Sequence, residues 1–378
     1  MAWTGKTAYD NFLYIGEDVS DIIELISPSE TPVLNLLPTA DRPATNVEHE
    51  WTEEMLGPDR LIASTAVNSV AAGGTSGVTI NGFGNQLTVG MLVDIGDAQT
   101  EIAQIASIPG PNSLLLTRGV NGGINSLAVG GTIYLISTAE LEGSETTGDV
   151  NRPRARRKNW THIFKRPVSI TGTDRAVLYS PNTGDEMDHQ VTMRLTEMLR
   201  DFEKAIFRSV STTNSIGTAS TYRTMKGLRE FLTSINSAVA ANSFTADPLL
   251  YVNDLMQQAW TAGARDIDLL ACGATWKRDL SNTNATRHQI MQSDRSVQRV
   301  IETLTTDFGS VRLVLTPWLP DKSIMGLSTR RVRPLPLRGR SFQREDLAKT
   351  GDANKAHVIG EYTLEVHHPD KMFQARAS

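Results

Sequence analysis

The chain has 378 residues, 21% of them charged and 39% hydrophobic, which is the composition of a soluble globular protein. That length exceeds one compact core, so two or more lobes are expected. A formal net charge of −5 lacks the basic excess of a duplex-binding protein, and a single cysteine, Cys272, excludes an internal disulfide or a thiolate metal cluster.

The N-terminus has no apolar h-region and no run approaches the ~18 apolar residues of a membrane helix, so a reducing cytoplasm is the expected compartment. Met1 to Pro38 reads as an arm. Val19, Ile22, Ile23 and Ile26 share one face of a short predicted helix, which Ser27-Pro28-Ser29-Glu30-Thr31-Pro32 ends because proline disfavours helix in the residue before it. Val33, Leu34, Leu36 and Leu37 follow as an apolar plug between Pro32 and Pro38. Prolines hold such a segment extended and remove donors, so the plug is expected to pack on other subunits rather than on its own domain.

Val47 to Glu54 alternates as a strand, and Gly73 to Gly77 reads as a flexible hinge. From Val78 to Ser137 short Val/Ile/Leu runs alternate with glycine-rich turns, predicting strands at Thr88–Ile95, Glu101–Ile108, Ser113–Thr117 and Thr132–Ile136. This is an all-β module of roughly 60 residues by strand-and-turn spacing. The acidic stretch Glu140 to Asp149 then meets a basic run containing Arg152, Arg154, Arg156, Arg157 and Lys158. Such a run either neutralises phosphates or pairs with acids of a neighbouring subunit. With no aromatic interleaving beyond Trp160, protein contact is the favoured reading.

Val168 to Thr173 reads as a strand. Val191, Leu195, Met198, Phe202 and Ile206, spaced by four, three, four and four, place one apolar face on a helix from Asp185 to Val210, with Asp185, Glu186 and Asp188 at its positive end. Further helices are expected at Leu228–Ile235, Pro248–Ala262 and, weakly, Asp294–Leu304. Strands are expected at Asp268–Cys272 and Val311–Leu315, and extended segments at Ser341–Leu347 and Val358–Val366. Arg330, Arg331, Arg333, Arg338 and Arg340 form a second basic cluster, made extended by Pro334 and Pro336.

Catalytic signatures are missing. Gly5-Lys6-Thr7 lacks the upstream glycine of a phosphate loop, and none of the seven histidines forms an H-E-x-x-H pair. His367 and His368 are adjacent and read, with the others, as surface histidines. Asp94, Asp97 and Glu101 do not match a calcium loop and read as a solvated edge. Glu50, Glu53 and Glu54 raise a glycan hydrolase as an alternative, but fit a charged strand edge better. No catalytic, cofactor or metal residue is therefore assigned.

The order of motifs resembles the tailed-bacteriophage major capsid proteins of the Hong Kong 97 fold, in the family whose extended loop carries a β-rich module. The resemblance rests on Tyr9-Asp10, Glu17-Asp18-Val19-Ser20 and Ser27-Pro28-Ser29-Glu30-Thr31-Pro32 in the arm, and on Arg118-Gly119 in the module. It continues through Val168-Ser169-Ile170-Thr171-Gly172-Thr173, Glu197-Met198-Leu199-Arg200-Asp201-Phe202-Glu203 and Arg223-Thr224-Met225-Lys226-Gly227-Leu228. Thr306-Asp307-Phe308-Gly309, Leu347-Ala348-Lys349-Thr350-Gly351-Asp352 and Gly360-Glu361-Tyr362-Thr363-Leu364 complete it.

It implies an α+β subunit with an N-terminal arm (1–46), an extended loop (47–77 and 138–166), an inserted β module (78–137) and a peripheral domain (167–236) built on the spine helix 185–210. An axial domain (237–340) and C-terminal strands returning to the peripheral domain (341–378) would follow. The implied function is structural: hexamers and pentamers closing an icosahedral head. The implied partners are copies of itself, a separate scaffolding protein, a portal protein, a decoration protein and non-specifically held double-stranded DNA, with assembly in the host bacterial cytoplasm. Another phage structural protein, of tail or decoration type, is the alternative; the long helix and mixed second half fit it poorly.

Overall fold

The computed structural model describes residues 31–38, 42–54, 57, 59–66, 71–96, 101–138, 142–143, 154–177, 185–211, 216–232, 247–261, 263–287, 303–349 and 351–376. The expected arm helix, the Gly5-Lys6-Thr7 motif, Arg152 and most of Asp294–Leu304 lie outside them. The chain divides into two units: residues 1–51 with 157–378, and residues 52–156, which interrupt the first in sequence.

In the first unit the longest helix, α2 (Glu186–Arg208), follows a short one, α1 (Gly172–Ala176). Asp185 caps α2 by accepting the Met187 N–H at 3.0 Å, and Glu186 and Asp188 add negative charge beside its free N–H groups. Its 23 residues span about 35 Å at ~1.5 Å each. Met198, Phe202 and Ile206 are buried and Val191 and Leu195 half-buried, so the predicted apolar face is the one that packs.

That face meets a four-stranded sheet. Strand β16 (Ala353–Val366) is its spine, paired antiparallel with β9 (His162–Thr171), β15 (Gln343–Leu347) and β14 (Val332–Pro336). Strand β9 begins six residues before the predicted strand, and its exposed middle carries Lys165, Arg166 and Pro167. Charges and a proline there discourage pairing with foreign strands.

A five-stranded sheet runs in the order β11 (Thr303–Thr306), β12 (Gly309–Leu315), β10 (Leu269–Cys272), β13 (Ser323–Leu327) and β17 (Phe373–Arg376). Strand β10 is parallel to β12 and antiparallel to β13. Successive side chains of a strand point to opposite faces. Leu269 and Ala271 accordingly join the core under α2, while Leu270 and Cys272 join a second core with helices α4 (Pro248–Thr261) and α5 (Ala274–Arg287).

Two expectations are corrected, and one helix went unread in the sequence. Helix α5 escapes sequence reading because Trp276 and Leu280 are the only fully buried anchors among its described side chains, in a polar stretch. Leu304 belongs to a strand rather than a helix end, since β11 pairs with β12. The chain also exchanges its last elements between the sheets. Strand β17 enters the five-stranded sheet, whereas β14, assigned by sequence to residues 237–340, pairs with β16.

The short helix α3 (Leu228–Phe231) starts where Gly227 touches the end of α2. A Cβ on Gly227 would lie 2.7 to 2.9 Å from the carbonyl oxygens of Ala205, Ile206 and Ser209, so only glycine fits. Its N–H donates to the Ser209 carbonyl at 2.8 Å, satisfying a group the helix leaves unpaired.

The described residues of the second unit hold a six-stranded sheet and one short 3-10 turn, Gly84–Gln86. Its sheet runs β2 (Arg60–Ile62), β7 (Thr132–Thr138), β4 (Met91–Ile95), β5 (Ile102–Gly110), β6 (Ser113–Thr117) and β3 (Thr75–Thr79), every pairing antiparallel. The outer strands meet through an Ala63–Ile80 bridge and a Ser64 N–H bond to the Thr79 carbonyl at 2.7 Å, which closes the sheet into a small barrel. Closure removes the sheet edges that would otherwise be open to another chain. Leu61, Val78, Val93, Ile105, Leu116 and Ile133 fill the interior.

The barrel starts earlier than the sequence reading allowed. Residues 60–62 and 75–77, assigned to the extended loop, lie in two of its strands, β2 and β3. Thr75 to Gly77, read as hinge, is held in register by Leu115 to Thr117 on β6. Glycine content signals local freedom, but here long-range pairing removes it.

Candidate assembly surfaces

The apolar plug lies on the chain's own core. Val33 and Leu37 are buried, and Leu34 and Leu36 pack half-buried against the same cluster as Met198, Phe202 and Ile206. The expectation that these four side chains face other subunits is therefore corrected. The cause is one carboxylate: Glu203, fully buried on α2, accepts the N–H of Leu34 at 2.9 Å and of Val33 at 3.4 Å. Burial pushes the Glu203 carboxyl above its ordinary range, and the bonds from Leu34, Val33 and Thr316 only partly oppose it.

Strands β1 (Glu48–Glu53) and β8 (Ala155–Trp160) form a two-stranded ribbon, and the division between units falls within both strands. Its root in the first unit is a polar cluster. Glu365 accepts from His49 at 3.3 Å and from His367 at 2.5 Å, while Trp51 stacks on His49 and meets His367 edge-on. Burial raises the Glu365 carboxyl, but the bonds and charges of His367 and His49 outweigh it and bring it down to about 2.

Beside this cluster Trp160 is buried between the ammonium groups of Lys158 and Lys226, at 5.5 and 5.2 Å from its ring. Asn159 is buried and donates to the carbonyls of Leu364 and Lys226. Glu361, also buried, gathers Thr161, Arg223 and Arg340.

The histidines are not uniformly superficial. His357 is buried and bonds Glu345 at 3.0 Å, and His162 stacks on Phe164. Burial, and secondarily the charge of Arg223, lowers the His162 pKa. His367 pairs with Glu365, and His368 lies past the end of β16 in a left-handed conformation.

Of the basic run, Arg154 approaches Glu54 at 3.8 Å, Lys158 bonds Glu48 at 2.7 Å, Arg156 is exposed and Arg157 half-buried. In the second cluster Arg331 grips Asp266 with two bonds of 2.7 and 3.0 Å, while Arg330, Arg333 and Arg338 are exposed.

No catalytic arrangement emerges from these groups. Alternation along β1 puts Glu50 and Glu53 on opposite faces, and Glu53 is buried, so they cannot flank one glycosidic bond. Glu101 is neither a solvated edge nor a calcium ligand: it is fully buried against Arg118. Among the described residues no cluster of His, Cys, Asp or Glu could hold a metal ion, and no helix is long and apolar enough to cross a membrane. A cleft of about 390 Å³ is lined by His162, Ile216, Tyr222 and Arg223.

The SU10 major capsid protein family matches residues 2–376. No curated protein matches the chain in sequence. Solved structures resemble it across nearly its whole length. The capsid of Myoviridae phage XM1 has a TM-score of 0.50 at 10% identity, with 100% of each chain covered. Chains from Microbacterium phage Oxtober96 (TM-score 0.54, 9% identity, covering 96% of this chain and 93% of that one) and Mycobacterium phage Bobi (0.51, 10%, 96% and 96%) are similar in fold. The α+β architecture is that of the Hong Kong 97-type capsid structures. Matched over residues 2–376 by one capsid family, the chain belongs to the SU10 major capsid proteins and is a structural, non-enzymatic subunit of the phage virion that assembles with copies of itself.

Proposed function

We propose that the subunit forms hexamers and pentamers that close an icosahedral head around double-stranded DNA, assembling in the host bacterial cytoplasm. The observation that carries this reading is the family match over residues 2–376. Closed shells repeat one set of contacts around rotational axes, which asks a subunit for interfaces rather than for a reactive centre. A separate scaffolding protein, a portal protein and a decoration protein are the further partners. DNA is held without sequence preference, in keeping with a net charge of −5.

The basic run is the contact this reading assigns to a neighbouring subunit. Arg152, Arg154, Arg156, Arg157 and Lys158 face acidic residues of the next copy, and the exposure of Arg154, Arg156 and Lys158 supports it. One exposed pair contributes only ~0.2–1 kcal/mol, but a shell repeats it many times.

Expression of the chain with and without a scaffolding protein, followed by electron microscopy, tests the reading. Closed particles with five- and six-fold capsomers are expected, and tubes or fibres would overturn it. Joint charge reversal, Arg156→Glu with Arg157→Glu, should impair assembly in the absence of DNA; normal empty shells from that variant would remove the basic run from the interface.

A further inference from the structure

Only Arg60, Asp94, Asp97, Glu101 and Arg118 are charged between residues 60 and 138, whereas charged residues make up 21% of the whole chain. Two of the five, Glu101 and Arg118, neutralise one another inside the barrel. The same stretch holds eight of the seventeen exposed large apolar side chains of the described residues. A surface left open to water in a soluble protein is ordinarily about 25–35% charged. Loss of charge with gain of exposed isoleucine and tyrosine is instead the composition of an interface centre.

The register gathers part of this surface on one wall. Arg60 and Ile62 point outward from β2, since Leu61 between them is buried. Thr132, Tyr134 and Ile136 point outward from β7 by the same alternation. Ile62 lies opposite Thr132, and Tyr134 lies between Arg60 and Asp94. The outcome is an apolar stripe of Ile62, Tyr134 and Ile136, exposed by 48%, 37% and 52%, flanked by Asp94 and by Arg60, which Asp59 of the same chain approaches at 3.8 Å.

We propose that this wall is a contact between copies of the chain, the barrel of one subunit resting on the barrel of another; the proposal deepens the shell-forming reading and rests on it. Charge matching selects this occupant. A charged partner surface would lose its hydration against Ile62, Tyr134 and Ile136 with almost nothing to pair with. A second barrel is equally poor in charge, so a contact between two barrels buries fewer ions than contact with an ordinary charged surface would. The stripe is far smaller than the ~800 Å² per partner of a stable free-standing interface. The contact therefore forms where a shell holds two barrels near one another and raises their effective concentration.

The sole native cysteine, Cys272, is buried, and burial pushes its thiol up to about 12, so a surface cysteine placed on this wall is the reactive one. The full-length Ile136→Cys variant is assembled and treated with a short bis-maleimide, with Thr132→Cys on the same wall as the second variant. Covalent dimers are expected from shells and not from dissociated subunits. Reaction with a monofunctional maleimide should slow about tenfold in shells, equivalent to about 1.4 kcal/mol. Thiols on intact shells that react as fast as in free subunits overturn the proposal. Thiols that are shielded without crosslinking also overturn it, because another surface then covers the wall. Shielding seen in virions but not in shells of this chain alone assigns the wall to a different protein and overturns it as well. If the unsubstituted chain forms no shells, the shell-forming reading falls and this contact with it; intact shells with open barrels count against the contact alone.

Discussion

Glu203 accepts the backbone N–H of Leu34 at 2.9 Å, joining the middle of α2 to a segment 169 residues earlier in the chain. The bond turns an extended, proline-flanked segment into part of the subunit's own core. Each buried donor left without an acceptor costs ~1–3 kcal/mol. Glu203→Ala should therefore destabilise the fold by about 2–4 kcal/mol and expose residues 31–37 to protease, while Glu203→Gln, which keeps an acceptor, should lose less. A carboxyl raised in the folded state contributes stability that is full below its unfolded pKa and is lost as pH rises through the folded one. Wild type should accordingly lose more stability than Glu203→Gln as pH rises through that window. Limited proteolysis and melting curves across pH measure both effects, and equal protease resistance in the alanine variant would dismiss the latch.

The Glu365 cluster has the opposite sign. Its carboxyl falls from 4.5 to about 2 in the folded state, so its contribution is present above pH 4.5 and is lost as pH drops towards 2. That contribution is on the order of 3 kcal/mol, since one pKa unit is ~1.4 kcal/mol. Glu365→Gln should be less stable at neutral pH and should lose less stability than wild type on acidification below pH 4.5, the remaining loss coming from other lowered carboxyls such as Glu101. Denaturant midpoints at pH 7, 4.5 and 3 would check this, and parallel pH profiles for the variant and wild type would refute it.

Inside the barrel, Arg118 donates to both oxygens of Glu101, and Glu101 also accepts the N–H of Gly119 at 3.2 Å and of Asn125 at 2.5 Å. Burial alone would raise the Glu101 carboxyl, but these partners outweigh it and lower it. Arg118→Met should leave a buried, unpaired carboxylate at a cost of ~3–5 kcal/mol. Hydrogen exchange should then accelerate across residues 101–125. Unchanged protection there would show that the pair does not lock the turn.

Gly227→Ala should lower the melting temperature markedly, because three carbonyl oxygens of α2 stand within 2.9 Å of the new methyl and backbone must move. Gly77→Ala is the control. Its Cβ meets nothing within 4 Å in a strand conformation, and alanine there should be neutral or slightly stabilising. A Gly227→Ala protein that melts with wild type would mean that the α2–α3 junction relaxes freely.

Helix α2 was legible from one spacing pattern and its capping acids, because a helix face repeats locally. The barrel strands were legible for the same reason: β-branched runs between glycine turns need no knowledge of their partners. The run of capsid motifs, read together, carried the fold class and the structural role. Other features were decided by tertiary contact. Barrel closure depends on residues 62–65 meeting 79–81, and nothing periodic announces that pairing. Helix α5 stands on Trp276 and Leu280, too few anchors to register as a face. The plug of Val33 and Leu37 looked like an interface because its partner carboxylate lies on a helix far along the chain. Glu203, Glu101 and Glu365 all read as ordinary surface acids in one dimension. A carboxylate's neighbours along the chain say little about whether it is buried. Its role is decided by the donors that folding places around it, and those arrive from distant residues: Leu34 for Glu203, His49 for Glu365.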